Sequence, residues 1–235
     1  ENMLSRSEPI IGINGLKKIQ ESTIVIVGVG GLGSQVTLLL SRMKPKRLIL
    51  VDNDIVEEHN LERQTLYHPY EIGEYKAKLA SEKIKDFCDV KYFCETLTKE
   101  NVNKIIGEGV DLVMDCVDNT HARLVINDFC KEKNIPWVHA SVVSEIGVVA
   151  FFENKKTSEK NYDEEKFSCY RCFNEEKQGK KAHEIGVLSS AVSIVASISV
   201  NVAIHFLSNK KVLKDILRIN MSDYSIRKLT CKKNV

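Results

Sequence analysis

No stretch of this 235-residue chain approaches the roughly 20 consecutive apolar residues that span a bilayer. The longest apolar-leaning run, Val187 to Leu207, is broken by Ser189, Ser190, Ser193, Ser197, Ser199, Asn201 and His205, so it reads as a buried amphipathic helix. An excess of either charge is missing too: 34 basic against 32 acidic side chains leave a formal net charge of +2. That balance removes the general electrostatic case for nucleic-acid or membrane partners. The N-terminus lacks the charged-then-apolar pattern of a signal peptide, and it starts at Glu1, so the numbering can begin inside a longer chain. Seven scattered cysteines, an odd number, argue against a secreted disulfide framework and for a reducing cytoplasm. Neither repeats nor a clean domain boundary interrupt the chain, so a single domain over 1–235 is expected.

What is there is an ordinary globular composition, 43% hydrophobic and 28% charged, with a regular alternation of short β-branched runs and helical periodicity. Strands are predicted at Thr23–Val27, Arg47–Val51, Val90–Cys94, Asp111–Asp115, Trp137–His139 and Gly147–Phe152. Helices are predicted between them at Leu32–Met43, Lys76–Phe87, Lys99–Ile106 and Thr120–Lys133. Strands alternating with helices pair in parallel through right-handed crossovers, which predicts an α/β fold built on a doubly wound sheet. A polar segment, Glu153 to Lys166, follows the sixth strand and reads as a solvated loop, or as a flap over a site. Beyond Cys169-Tyr-Arg-Cys172 and the long helix, strands at Ile216–Met221 and Ser225–Thr230 form a hairpin across Ser222-Asp223, an antiparallel extension of the sheet.

Strand TIVIV runs into GVGGLG and then a helix, so Gly28, Gly30 and Gly33 have the G-x-G-x-x-G spacing, with Gly31 a further residue lacking a side chain. Such a turn lets backbone amides approach a phosphate, and the helix N-terminus adds a favourable dipole. Asp52 closes the second strand, where a carboxylate can accept hydrogen bonds from ribose hydroxyls. The turn alone does not separate NAD from ATP. Downstream, Asn60-Leu-Glu-Arg63-Gln64 and then Lys76 bring two cations and amide side chains, which suit a triphosphate better than a diphosphate. Asp115-Cys-Val-Asp118-Asn119 ends a strand at the sheet edge where open α/β folds bind ligands, and Asp118 there can hold Mg²⁺ against phosphates.

Together GVGGLG, VDNDIVEEHNLERQ, the lysine of GEYKAK, MDCVDN and CYRC resemble the ThiF/MoeB/HesA superfamily, relatives of ubiquitin-activating enzymes. The resemblance runs from about Gly15 to the terminal hairpin. It implies a Rossmann-like sheet with a nucleotide-binding part over about 15–140 and a substrate and dimer part over about 141–235, usually in a homodimer. It also implies ATP-dependent adenylation of a carboxylate, commonly the C-terminal glycine of a ubiquitin-like sulfur carrier, with release of pyrophosphate. By motif, Asp52 would hold the ribose, Asp54, Asn60, Arg63, Gln64 and Lys76 would surround the nucleotide, and Asp118 would bind Mg²⁺. The family's partner-subunit arginine would correspond to Arg6.

Two departures from that pattern carry consequences. Cys169 and Cys172 form half of a four-thiolate zinc site, and the expected second pair does not follow the basic stretch that ends at Val235. Either the second pair lies beyond Val235, or Cys169 and Cys172 are ordinary thiols. No cysteine stands between Cys172 and Cys231, and Ala182 occupies the neighbourhood of the acyl-accepting cysteine of some relatives. His183 beside it reads as a solvated or capping residue. A separate acyl- or sulfur-accepting protein is therefore expected, with either a carrier-protein tail or a small carboxylic acid as substrate. The small-acid case resembles the HcgE-like members that activate a pyridinol carboxylate in Fe-hydrogenase cofactor assembly. Two other classes stay open on the residues: an NAD-dependent oxidoreductase with His139 as proton-transfer group, and a non-catalytic nucleotide-binding scaffold, against which Arg63, Lys76 and Asp118 argue. Cys88, Cys94, Cys116 and Cys130 read as small buried hydrophobes.

Overall fold

The computed structural model describes residues 3–154, 170–173 and 186–229. Strands β1 (Thr23–Val27), β2 (Arg47–Val51), β3 (Asp89–Phe93), β4 (Leu112–Asp115), β5 (Trp137–Val143), β6 (Ile146–Phe152), β7 (Ile216–Asn220) and β8 (Ser225–Leu229) form one sheet. Their order is β3-β2-β1-β4-β5-β6-β7-β8. The first five are parallel, and β5 through β8 run antiparallel. The predicted mostly parallel sheet with an antiparallel extension is thus observed. Helices α1 (Glu8–Ile11), α2 (Ile13–Glu21), α3 (Gly31–Ser41), α4 (Lys76–Ile84), α5 (Val102–Ile105), α6 (Thr120–Lys133), α7 (Tyr170–Phe173) and α8 (Ser189–Leu207) surround it.

Each central strand is apolar on both faces because helices cover both. Ile24, Ile26, Leu48, Leu50, Leu112, Met114, Val138 and Ala140 face one core with side chains of α3, α4 and α8. Val25, Val27, Ile49, Val51, Val113 and Trp137 face the other, with Val125, Ile126 and Phe129 of α6. Among the described residues α8 is long and apolar enough, by length and composition, to cross a membrane. Here half of it is buried, packed on α3, β5 and β6, as expected for a core helix.

Helix α6 falls where the sequence places it because both ends carry local stop signals. Asn119 Oδ1 accepts from the Ala122 N–H at 2.9 Å, and Asn134 terminates the helix with φ 55°. Elsewhere the boundaries move. The predicted strand Trp137–His139 continues to Val143, because β6 pairs with it along its whole length through a turn at Ser144 and Glu145. Helix α5 shrinks to one turn. α1 and α2 have no counterpart in the sequence reading. In α2 only Gly15, Leu16 and Ile19 are buried, too sparse a stripe to announce a nine-residue helix. Cys116 and Cys130 are buried as expected, whereas Cys88 and Cys94 are only half-buried.

Candidate active site at the carboxyl edge of the sheet

The chain leaves β1 toward β2 and β3 on one side, then returns to place β4 on the other side of β1. Neighbouring strands β2, β1 and β4 therefore deliver their following segments side by side at the carboxyl edge, the usual ligand crevice of such sheets. The glycine turn follows β1, Asp52 follows β2, and the turn carrying Asp118 follows β4.

Two of the four glycines serve packing rather than phosphate approach. Gly28 has φ +85°, and a Cβ there would lie 2.7 Å from the Cys116 carbonyl oxygen; one on Gly33 would lie 1.7 Å from that of Gly28. The turn is therefore folded tightly under the start of α3 and against the β4 turn. Gly30 and Gly31 face the site instead. A Cβ built on Gly30 would be 3.5 Å from Gln64 Nε2, and one on Gly31 would be 3.8 Å from Arg63 Cγ.

Asp52 braces the turn from β2. Its Oδ2 accepts from the Val29 N–H at 2.6 Å and its Oδ1 from the Asp54 N–H at 2.8 Å. Burial raises the Asp52 carboxyl above its ordinary range, although these two N–H bonds and the nearby Lys76 pull it back. Each oxygen keeps a lone pair for a further donor. Lys76 opens α4, is only 4% exposed, and places Nζ 3.2 Å from the carboxylate of half-exposed Asp54. Gln64 is also 4% exposed, and its Oε1 has no hydrogen-bond partner among the described residues. Arg63 Nη1 donates to the His59 carbonyl at 2.9 Å, and Asn60 Oδ1 accepts from the Glu57 N–H at 3.1 Å. The structure thus brings Gly28–Gly33, Asp52, Asp54, Asn60, Arg63, Gln64 and Lys76 to one region of this edge.

At the third of these strands the two carboxylates, Asp115 and Asp118, part ways. Asp118 is exposed, and among the described residues it pairs with no cation; its Oδ1 accepts from Asn119 Nδ2 at 3.3 Å. Asp115 is 0% exposed. Arg123 Nε donates to its Oδ2 at 2.9 Å, His139 Nδ1 lies 2.7 Å from the same oxygen, and the Val117 N–H donates to Oδ1 at 3.2 Å. Burial alone would raise the Asp115 carboxyl, but Arg123 and His139 hold it below the ordinary carboxylate range. Arg123 Nη2 donates to the Val117 carbonyl at 2.6 Å, so the ion pair grips Val117 of the turn at both its N–H and its carbonyl. Arg123 also reaches the Tyr170 hydroxyl of α7, whose Arg171 forms two bonds to Asp128 of α6.

His139 is 1% exposed and belongs to this buried network, not to a ligand site. Burial, the larger influence, holds its pKa below the ordinary 6.5, against the opposing hydrogen bond that its ring makes to Asp115. The unfolded chain therefore takes up a proton near pH 6.5 before the folded one does. Stability from this residue is full above that pH and is lost as pH falls through the folded value. Asp115 acts in the same direction, but only below about pH 3.9. Between pH 7 and 5, urea unfolding of wild type is expected to lose more stability than that of His139→Gln. The extra slope is at most about 1.4 kcal/mol per pH unit. Parallel pH profiles for the two proteins would exclude the effect.

Other expected site residues lie away from this edge or outside the described residues. Arg6 is exposed four residues before Ile10, whose carbonyl accepts from Lys210, just past the C-terminal end of α8. The opposite end of α8 packs Val192 over Gly31, so the structure does not bring Arg6 to the glycine turn of its own chain. Cys169, Ala182 and His183 lie outside the described residues, as does all of Glu153–Lys166 except Glu153 and Asn154. Cys172 is on α7, with its side chain undescribed. Among the described residues no three His, Cys, Asp or Glu side chains cluster as a metal site. Sequence reasoning missed Tyr67, whose hydroxyl donates to the Val29 carbonyl at 2.7 Å, and the Asp115–Arg123 pair.

Comparison with known proteins places these features in company. The ThiF family matches residues 4–235. Over 235 residues the chain is 30% identical to the sulfur carrier protein adenylyltransferase of Thermus thermophilus, covering 96% of this chain and 84% of that one. It is 31% identical over 166 residues to the SAMP-activating enzyme E1 of Haloferax volcanii, covering 69% of this chain but 57% of that protein. A Porphyra purpurea relative, 35% identical over 147 residues, is spanned over only 38% of its length. In shape the chain is similar to E. coli MccB in a crystal structure with ATP: the TM-score is 0.81 at 19% identity, over 97% of this chain and 71% of that one. At that identity the likeness speaks for the fold.

Proposed function

The chain belongs to the ThiF family, and from that premise we propose that it uses ATP to adenylate a carboxylate, releasing pyrophosphate. The observation that carries this reading is the convergence of the glycine turn, Lys76, Arg63 and exposed Asp118 at the carboxyl ends of adjacent strands. Nearly buried Lys76 is held by Asp54, close to the glycine turn that Asp52 braces. A dinucleotide's diphosphate has less need of these cations.

On this reading the triphosphate lies over Gly30 and Gly31, beside Gln64 and Arg63. The ribose hydroxyls meet the remaining lone pairs of Asp52. A substrate carboxylate oxygen attacks the α-phosphorus, a new P–O bond forms, and the bond to the departing pyrophosphate breaks. Lys76 and Arg63 stabilise the negative charge that builds on the transferring and leaving phosphates. No general base takes part, because a carboxylate is already ionised near neutral pH. Mg²⁺ fits the donor set: one exposed carboxylate, Asp118, with no competing cation among the described residues, beside a phosphate cradle. When bound, the ion neutralises phosphate charge, and Asp118 is the residue that would hold it.

The names of the Thermus and Haloferax relatives support a carrier protein's C-terminus as substrate. Ala182, where an acyl-accepting cysteine is absent, supports transfer to a separate acceptor protein, and leaves a small carboxylic acid as the second reading. Exposed Arg6, remote from its own glycine turn, supports a homodimer in which it serves the other subunit. The NAD-dependent alternative loses its proton-transfer group, since His139 is buried on Asp115. Exchange of labelled pyrophosphate into ATP, screened over small acids and ubiquitin-like carriers, tests the proposal. Exchange that depends on one of them is expected. Absence of exchange with every acid, together with thermal stabilisation by NAD and not by ATP–Mg²⁺, would overturn it.

A further inference from the structure

A closed circuit of hydrogen bonds runs under the site, and a residue with no assigned role completes it. From the glycine turn, the Val29 N–H donates to Asp52 Oδ2 at 2.6 Å, and Asp52 Oδ1 accepts from the Asp54 N–H at 2.8 Å. The Asp54 carbonyl accepts from the Lys76 N–H at 3.0 Å, and Asp54 Oδ2 accepts from Lys76 Nζ at 3.2 Å. Tyr67 then returns the circuit to its start: its hydroxyl lies 3.3 Å from the Lys76 carbonyl and 2.7 Å from the Val29 carbonyl. A phenol has one proton to give, and the shorter contact directs it to Val29, with Lys76 as a secondary acceptor.

We propose that Tyr67 is a positioning residue that aims the Gly30 amide at the phosphates and keeps the glycine turn in register with Lys76. In a trans peptide the C=O and the following N–H point in opposite directions. Drawing the Val29 carbonyl inward to a phenol that is 4% exposed therefore turns the Gly30 N–H outward. That N–H donates to no group among the described residues. The preceding peptide is fixed separately, by Asp52 on the Val29 N–H, so Val29 is pinned on both sides by residues distant in sequence. Burial, helped by Asp52 and Glu71, pushes the Tyr67 pKa well above its ordinary value, and the hydroxyl stays a donor at any working pH. The inference rests on the nucleotide reading of this turn, and it names the residue that orients it.

Tyr67→Phe in the full chain is the test, because the ring stays in the core and only the hydroxyl is lost. Hydrogen–deuterium exchange without nucleotide is expected to speed up at amides 28–34 and 76–79 relative to the rest of the protein. The ATP dissociation constant, measured by calorimetry, is expected to rise about tenfold, the scale of one hydrogen bond to a charged group, here from the Gly30 N–H to a phosphate. In the exchange assay the KM for ATP rises with it, while the KM for the acid does not. Ser199→Ala serves as the control, since it removes a buried hydroxyl that donates to the Ala196 carbonyl at 2.8 Å within α8. Exchange that is unchanged at those amides in Tyr67→Phe, or faster to the same degree everywhere, would overturn the proposal. A wild type that does not bind ATP would instead defeat the adenylation reading, and the amide exchange would still decide the role of Tyr67.

Discussion

Lys76→Ala is expected to lower carboxylate-dependent exchange of pyrophosphate into ATP by roughly a hundred- to a thousandfold, the effect of deleting one charge-stabilising donor at a transferring centre. Its environment gives the reason. The ammonium group is largely out of water, where an opposing charge is felt more strongly than at the surface, and its one ion-pair partner among the described residues, Asp54, is 60% exposed. An incoming phosphate therefore competes with a well-hydrated carboxylate for a poorly hydrated cation. Asp118→Ala is expected to reduce exchange to a comparable degree without changing stability by more than about 0.5 kcal/mol, as for exposed residues outside packed or bonded clusters. Steady-state exchange and thermal unfolding of both variants make the comparison. Near wild-type exchange in both would remove these two residues from the chemistry and leave the proposed adenylation without its charge-stabilising groups.

The second large effect is on folding. Gly33→Ala would place a Cβ 1.7 Å from the Gly28 carbonyl oxygen and 2.7 Å from its carbon. Both are backbone atoms, so no side chain can rotate away, and the turn must open or α3 must leave β1. A loss of about 3 kcal/mol or more is expected, or a drop of roughly 6–12 °C in the thermal midpoint for a chain of this size. Gly31→Ala is the informative contrast. Its Cβ would meet Val192 Cγ1 at 3.4 Å, an ordinary contact, at the first residue of a helix. That variant is expected to fold, so a Gly33→Ala midpoint within about 2 °C of it would contradict the packing account.

Much of this site was legible before folding was considered, but not all of it for the right reason. The glycine spacing placed the turn, yet Gly28 and Gly33 are needed by the backbone of the turn itself, whereas Gly30 and Gly31 lie against the side chains of Gln64, Arg63 and Val192. Helix α6 was legible to the residue because Asn119 and Asn134 cap it locally. Helix α2 was not, since its buried face depends on residues far along the chain: Leu16 and Ile19 enter the core shared with α8, and Gly15 lies close to Ser208. The same distance hid Tyr67, which acts on a carbonyl 38 residues away, and Arg123, whose partners lie on β4, its turn and α7. Neither residue belongs to a local pattern, so neither could be distinguished from an ordinary tyrosine or surface arginine.

The sequence by itself determined the alternation of strands and helices, the phosphate-type turn after β1, the acid after β2, and the family. These depend on periodicity and on residues within a few positions of each other, where backbone sterics and capping act. The tertiary structure decided which carboxylate after β4 is available. Asp115 and Asp118 are three residues apart and chemically alike, but one is enclosed with Arg123 and His139 between β5 and α6 while the other faces water. The same enclosure turned His139 from a candidate proton carrier into a core residue, while on the other face of the sheet packing brought Tyr67 against the Val29 carbonyl. Desolvation and long-range hydrogen bonds are properties of the packed surroundings, and those surroundings exist only once the sheet and its helices have assembled.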